Sequence, residues 1–340
     1  MRPVRFPCFR FWSTLRRIGG QRTAMASVVV ATFFTAGCAG TAPSIPALLS
    51  VAQSQAASGR CADAIATYTT VLGMSPRNLR ALAGRGSCYG QLGDYGKAIA
   101  DYSTVTHATS SATDLATLAQ YEWDAGYASQ ATADLAKASY LAGLDDDVGE
   151  LLQVAGIQLS YSALAGAAVT LQRVPAPGRL AQWYLLSGTL EAGLSDVPAM
   201  TSDFATAIRL SPTSQLAPPL VTAANAYWNL GHYNIALSYY ERALKAEGSI
   251  DRAQVYIQMG SAEDRIGLPM AAIEDYRAAL AQGLTGSTRQ TTEFAIAEDY
   301  AVLRQWPEAR AALAPLLHGQ LSGALQAEVN TLKAAIATGG

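Results

Sequence analysis

Histidine is nearly absent from this chain of 340 residues: there are three, His107, His232 and His318. They lie far apart, each near an expected turn or helix end. A metal or a proton relay would need them to converge, so they read as solvated surface groups. No Ser nucleophile motif, phosphate-binding loop, dinucleotide fingerprint or HExxH stretch appears. No catalytic, cofactor-binding or metal-binding residue is therefore assigned, and an enzyme is not expected. Asp145-Asp146-Asp147 reads as an inter-helix turn that caps the next helix. Basic charge is also short. Six of the 24 Lys and Arg fall within residues 1–37, which hold no acid. The remainder carries a net charge of about -8, which repels phosphates. No basic stripe offsets it, so nucleic acid is excluded as a partner.

What is present favours helix. Hydrophobic residues make up 50% of the chain, too many for a disordered one. Alanine, the best helix former, is the commonest residue. Along residues 79–108, Gly86, Tyr89, Gly93, Tyr95, Ala98, Ile99 and Tyr102 alternate small and large side chains over two short helical segments. Gly93 stands where a left-handed residue would stop the first helix. The preceding stretch carries the same slots 34 residues earlier: Gly59, Ala64, Ile65, Tyr68 and Val71 become Gly93, Ala98, Ile99, Tyr102 and Val105. This pattern resembles the tetratricopeptide repeat. The resemblance implies an all-α fold, a right-handed solenoid of helix-turn-helix hairpins. Repeats one to four cover 47–174, the fourth degenerate. Residues 175–179, with Pro175 and Pro177, form a linker or kink. Repeats five to eight cover 180–320, with Arg304 in place of the turn glycine of the eighth, and 321–340 forms a cap helix.

The N-terminus reads as an address. Arginine-rich residues precede Ala24–Ala36, a run too short to span a bilayer but suited to a signal-peptide core. It ends in Thr35-Ala36-Gly37-Cys38, which resembles the lipobox of bacterial lipoproteins, with Thr35 where Leu is usual. The resemblance implies a signal peptide over 1–37 and a lipidated Cys38. With Ala39 next, it implies an outer-membrane lipoprotein facing the periplasm. A plain cleaved signal or a short N-terminal helix is the alternative. Residues 38–46 read as a tether.

In tetratricopeptide-repeat proteins the first helix of each hairpin lines a concave groove. By register its inner face here includes Arg80, Ser87, Gln91, Gln120, Trp123, Asn225, Trp228, Asn229, Asp264 and Arg265. Trp123 and Trp228 occupy one slot three repeats apart, beside amides, where they could anchor a peptide or stack on a sugar. The Lys positions of the chaperone-tail-binding class hold Ala83 and Ile257, which excludes that class. The resemblance points to a scaffold for periplasmic or outer-membrane proteins. The alternative is a glycan-handling module, of exopolysaccharide secretion or of a phage-adsorption-type system, with polysaccharide as ligand. Cys61 and Cys88 fall on helices that pack together in such arrays. A disulfide between them and a pair of buried thiols are both open.

Overall fold

The computed structural model describes residues 43–176 and 180–339. The expected signal peptide, Cys38 and most of the tether lie outside the described residues. Within them the chain forms seventeen α-helices and no strand. Sixteen pair into hairpins. The first four are α1 (Ile45–Ala57) with α2 (Cys61–Met74), α3 (Leu79–Gln91) with α4 (Tyr95–Ala108), α5 (Ala112–Asp124) with α6 (Ala128–Leu144), and α7 (Val148–Ser160) with α8 (Leu164–Arg173). The next four are α9 (Ala181–Gly193) with α10 (Val197–Leu210), α11 (Ala217–Asn229) with α12 (Tyr233–Lys245), α13 (Arg252–Arg265) with α14 (Pro269–Ala281), and α15 (Gly286–Val302) with α16 (Trp306–Leu313). Helix α17 (Gly323–Gly339) closes the array.

One turn geometry joins the two helices of every hairpin. In the second, Asp94 N–H reaches back to Tyr89 O at 2.9 Å and Gly93 N–H to Gly90 O at 3.0 Å. These are the reverse bonds of a left-handed C-terminal cap. Gly93 has φ +78° there, a region that costs glycine nothing. Three hairpins make the same turn without glycine. Ser162 (φ 57°), Ser195 (φ 60°) and Arg304 (φ 57°) occupy its place. The repeat is thus regular in backbone where it is degenerate in sequence. N-terminal caps are regular too: Asn78, Ser111, Asp147, Asp196 and Asp251 each accept a backbone N–H from three residues on.

The seam between paired helices alternates small and large. A Cβ at Gly86, Gly188 or Gly260 would lie 2.8, 2.9 or 2.8 Å from the ring of Tyr102, Phe204 or Tyr276. The equivalent slots of the other hairpins hold fully buried alanines, Ala52, Ala119, Ala155, Ala224 and Ala297. The core is strung out as four apolar clusters rather than gathered at one centre, as expected when each repeat touches only its neighbours. Packing carries across residues 177–179: Leu190 of α9 joins the cluster of hairpins three and four, and Trp183 Nε1 donates to Leu171 O at 3.0 Å.

Candidate functional site

Three cavities follow one another along hairpins three to seven, the first lined mainly by α6, α8 and a turn and the other two mainly by first helices. The first, about 450 Å³, lies between Trp123, Leu135 and the α7–α8 turn at Ser162–Gly166. The second, about 300 Å³, shares Ser162 and Leu164 with it and extends over Thr189 to Thr222, Asn225 and Asn229. The third, about 490 Å³, shares those last three residues and continues past Trp228 and Tyr240 to Gln254 and Gln258 on α13. Shared walls make them one run from Trp123 to Gln258.

The lining is uncharged apart from Asp251, whose Oδ1 caps α13 by accepting from Gln254 N. Aliphatic side chains such as Val221, Leu135 and Leu164 form much of it, with amides, hydroxyls and aromatic rings set among them. Trp123 stacks on Tyr161 with centroids 5.0 Å apart, and Tyr161 donates to Asp124 Oδ1 at 2.8 Å, fixing the ring pair. Trp228 meets the edge of Tyr233 at 5.9 Å. Its indole N–H is enclosed and has no acceptor among the described residues. Tyr240, fully buried, donates to Asn225 Oδ1 at 2.5 Å and so sets the amide's orientation. Burial pushes the Tyr240 phenol upward, which keeps it a donor.

Of the residues read from sequence, the structure gathers Asn225, Trp228 and Asn229 in one cavity and links Trp123 to them through the run. It does not bring Arg80, Gln91 or Arg265 there. Arg80 and Arg265 are exposed and line none of the three cavities. Gln91 is tied to the core instead: its Oε1 accepts from Cys61 Sγ at 3.0 Å. Cys61 and Cys88 are free buried thiols and not a disulfide, the Cys61 S–H being turned to that amide. Burial first, then the neighbouring Cys61, pushes the Cys88 thiol up. Asp264 also leaves the groove and accepts from the Tyr276 hydroxyl at 2.7 Å. Sequence reasoning missed Gln254 and Gln258. A signal existed, since Thr222 and Gln258 fall in the same slot of successive repeats.

A second recurrent site lies inside the hairpins. The residue four before the turn faces the residue eight after it. Gln55 accepts from Thr67 at 2.9 Å and Gln158 from Thr170 at 2.8 Å; Tyr227 and Tyr239 stack at 5.4 Å. In hairpins three, five and seven the pair is two acids: Glu122 with Asp134, Glu191 with Asp203, Glu263 with Asp275. Burial first, then the facing carboxylate, pushes Glu122 up to about 7. Glu191 rises too, by burial and then by Asp196 and Asp203.

His107 and His232 are exposed, and no cluster of three or more metal-ligating side chains occurs among the described residues. No described helix is long and apolar enough to cross a membrane. Stacked helical hairpins with an elongated cavity run along one side define an α-solenoid, an architecture of binding scaffolds more than of catalysts. Models of the tetratricopeptide repeat match residues 51–113, 217–249 and 253–338. The chain belongs to the tetratricopeptide-repeat family. A tetratricopeptide repeat protein from Parabacteroides merdae aligns with a TM-score of 0.56 at 15% identity, over 74% of this chain and 97% of that one. Human IFIT1, solved as a dimer with m7Gppp-AAAA, aligns with a TM-score of 0.55 at 13% identity, over 87% of this chain and 72% of that one. At such identities the likeness is one of fold alone. No curated protein matches the sequence.

Proposed function

We propose that this protein is an envelope-anchored scaffold that holds an extended, uncharged segment of a partner protein along the cavity run from Trp123 to Gln258. The observation that carries the reading is the sharing of walls between the three cavities, which gives a track rather than a pocket. An extended chain presents backbone N–H and C=O groups at regular intervals, and the amides of Asn225, Asn229, Gln254 and Gln258 can pair with both. Lipid on Cys38 would place the scaffold at the outer membrane, so its partners are periplasmic or outer-membrane proteins; the lipobox-like residues before Cys38 support this. No catalytic role is proposed.

A photo-crosslinking residue at Asn225 in intact envelopes should trap a partner, one at Arg80 should not, and Trp228→Ala should lower the yield about tenfold. Equal capture at Asn225 and Arg80 would refute the groove. Mass spectrometry of the N-terminal peptide tests the anchor: Cys38 carries acyl chains, and Cys38→Ser releases the protein from membranes. The Trp and amide lining also favours a second reading, a neutral polysaccharide in the same track. Quenching of Trp fluorescence by polysaccharide fragments, with no protein trapped at Asn225, would select it.

A further inference from the structure

Helix α13 carries adjacent acids that turn to different neighbours. Glu263 pairs with Asp275 of α14, inside hairpin seven. Asp264 pairs with Asp299 of α15, across the seam to hairpin eight. Glu263 Oε2, Asp264 Oδ1 and Asp299 Oδ2 are enclosed with no hydrogen-bond partner among the described residues. Asp299 is only 6% exposed. Two carboxylates in hydrogen-bond reach of each other, away from water, can share a site only while one keeps its proton.

The surroundings add to the negative charge. Glu274 of α14 and Glu241 of α12 act on Asp275. Glu298 of α15 acts on Asp299 and is itself faced by Glu328 of α17. Arg277 of α14 is turned to α15, where it donates to the Tyr300 hydroxyl at 2.5 Å. The Tyr276 hydroxyl supplies Asp264 with one donor, a neutral one.

We propose that the seam between hairpins seven and eight is a proton-operated joint, closed while the Glu263–Asp275 and Asp264–Asp299 pairs each hold a proton and loosened when those protons leave. The proton of the first pair resides on Glu263, which donates to Asp275. That of the second bridges α13 and α15. Loss of both leaves two charged pairs around α13, the second across its contact with α15, and α15 to α17 are the elements that move off. Burial and the facing acids push Glu263 up to about 8 and raise Asp299; burial, with Glu274 and Glu241, pushes Asp275 up to about 6 against the hydrogen bond from Glu263, which pulls it down. The sign follows: the folded joint binds protons that the open chain releases above about pH 4. Closure is favoured most at or below that pH and weakens as pH rises to about 8. The joint does not depend on what the groove binds.

Hydrogen exchange on the full chain tests it, with rates corrected for intrinsic pH dependence. Between about pH 5.5 and about pH 8.5, protection of α15 to α17 should fall about tenfold or more, while α3 and α4 keep theirs. Asp299→Asn and Glu263→Gln combined in one chain carry both donors permanently and should hold the joint closed at both pH values. Unchanged protection of α15 to α17 in the wild type would overturn the proposal without recourse to any variant. So would a double variant that opens with pH as the wild type does.

Discussion

Hairpins two and seven place an aspartate at the same point of the same backbone and give it opposite neighbours. Asp101, eight residues past its turn, is gripped by Arg85, Nε to Oδ2 at 2.8 Å and Nη2 to Oδ1 at 2.7 Å. Asp275, eight past its own turn, meets Glu263. The repeat supplies a half-buried polar position between paired helices. What fills the facing side decides whether that position holds a fixed charge pair, a neutral hydrogen bond or a shared proton. The first is indifferent to pH over the neutral range, because guanidinium and carboxylate both stay charged. The last is not. A solenoid built from one motif can thus differ along its length in how it responds to protons, with no change in fold.

The comparison can be broken at several points. Tyr240→Ala should cost the most, about 3–5 kcal/mol by chemical denaturation, because the ring is fully enclosed and its hydroxyl orients Asn225. It should also disorder the third cavity, read as lost crosslinking at Asn225. Arg85→Ala strands Asp101, itself 6% exposed, and should cost about 3 kcal/mol. Glu122→Gln tests the acid pair of hairpin three. Wild-type Glu122, pushed up to about 7, holds a proton that the unfolded chain gives up above about pH 4. Wild-type stability therefore falls as pH rises from about 4 to about 7, and the variant should gain about 4 °C in Tm at about pH 8 and nothing near pH 4. Arg304→Gly should have the smallest effect, a gain of about 0.5 kcal/mol. It relieves a left-handed residue that is not glycine, and returns part of that gain as chain entropy.

Much of the fold was legible because the repeat forces size at fixed positions. Gly86 and Tyr102, or Gly260 and Tyr276, can be matched from spacing alone, since a Cβ would strike the ring. Turns were legible where glycine marked them. At Ser162 and Ser195 the same φ falls on residues whose letter gives no warning, while at Arg304 the surrounding slots place the turn although glycine is missing. The groove was read in part. Trp123, Asn225, Trp228 and Asn229 line the cavity run. Arg80 and Arg265 are exposed, and Arg265 fills the slot that Asn229 holds one repeat earlier; a long charged side chain can follow solvent instead of the groove. Asp264 was read as groove-facing and is drawn instead by Tyr276 and Asp299, partners that come from other helices. Facing acids are hard to foresee for the same reason: pattern gives the slot, and only three-dimensional pairing gives the occupant across from it.

The most direct measurement is a two-ended crosslink across the cavity run, with photo-reactive residues at Thr132 and Gln258 in turn and the trapped peptides sequenced. A single continuous groove predicts that both ends trap one partner, on two nearby stretches of its sequence in a fixed order. Two unrelated partners, or one end that traps nothing while the other does, would contradict it.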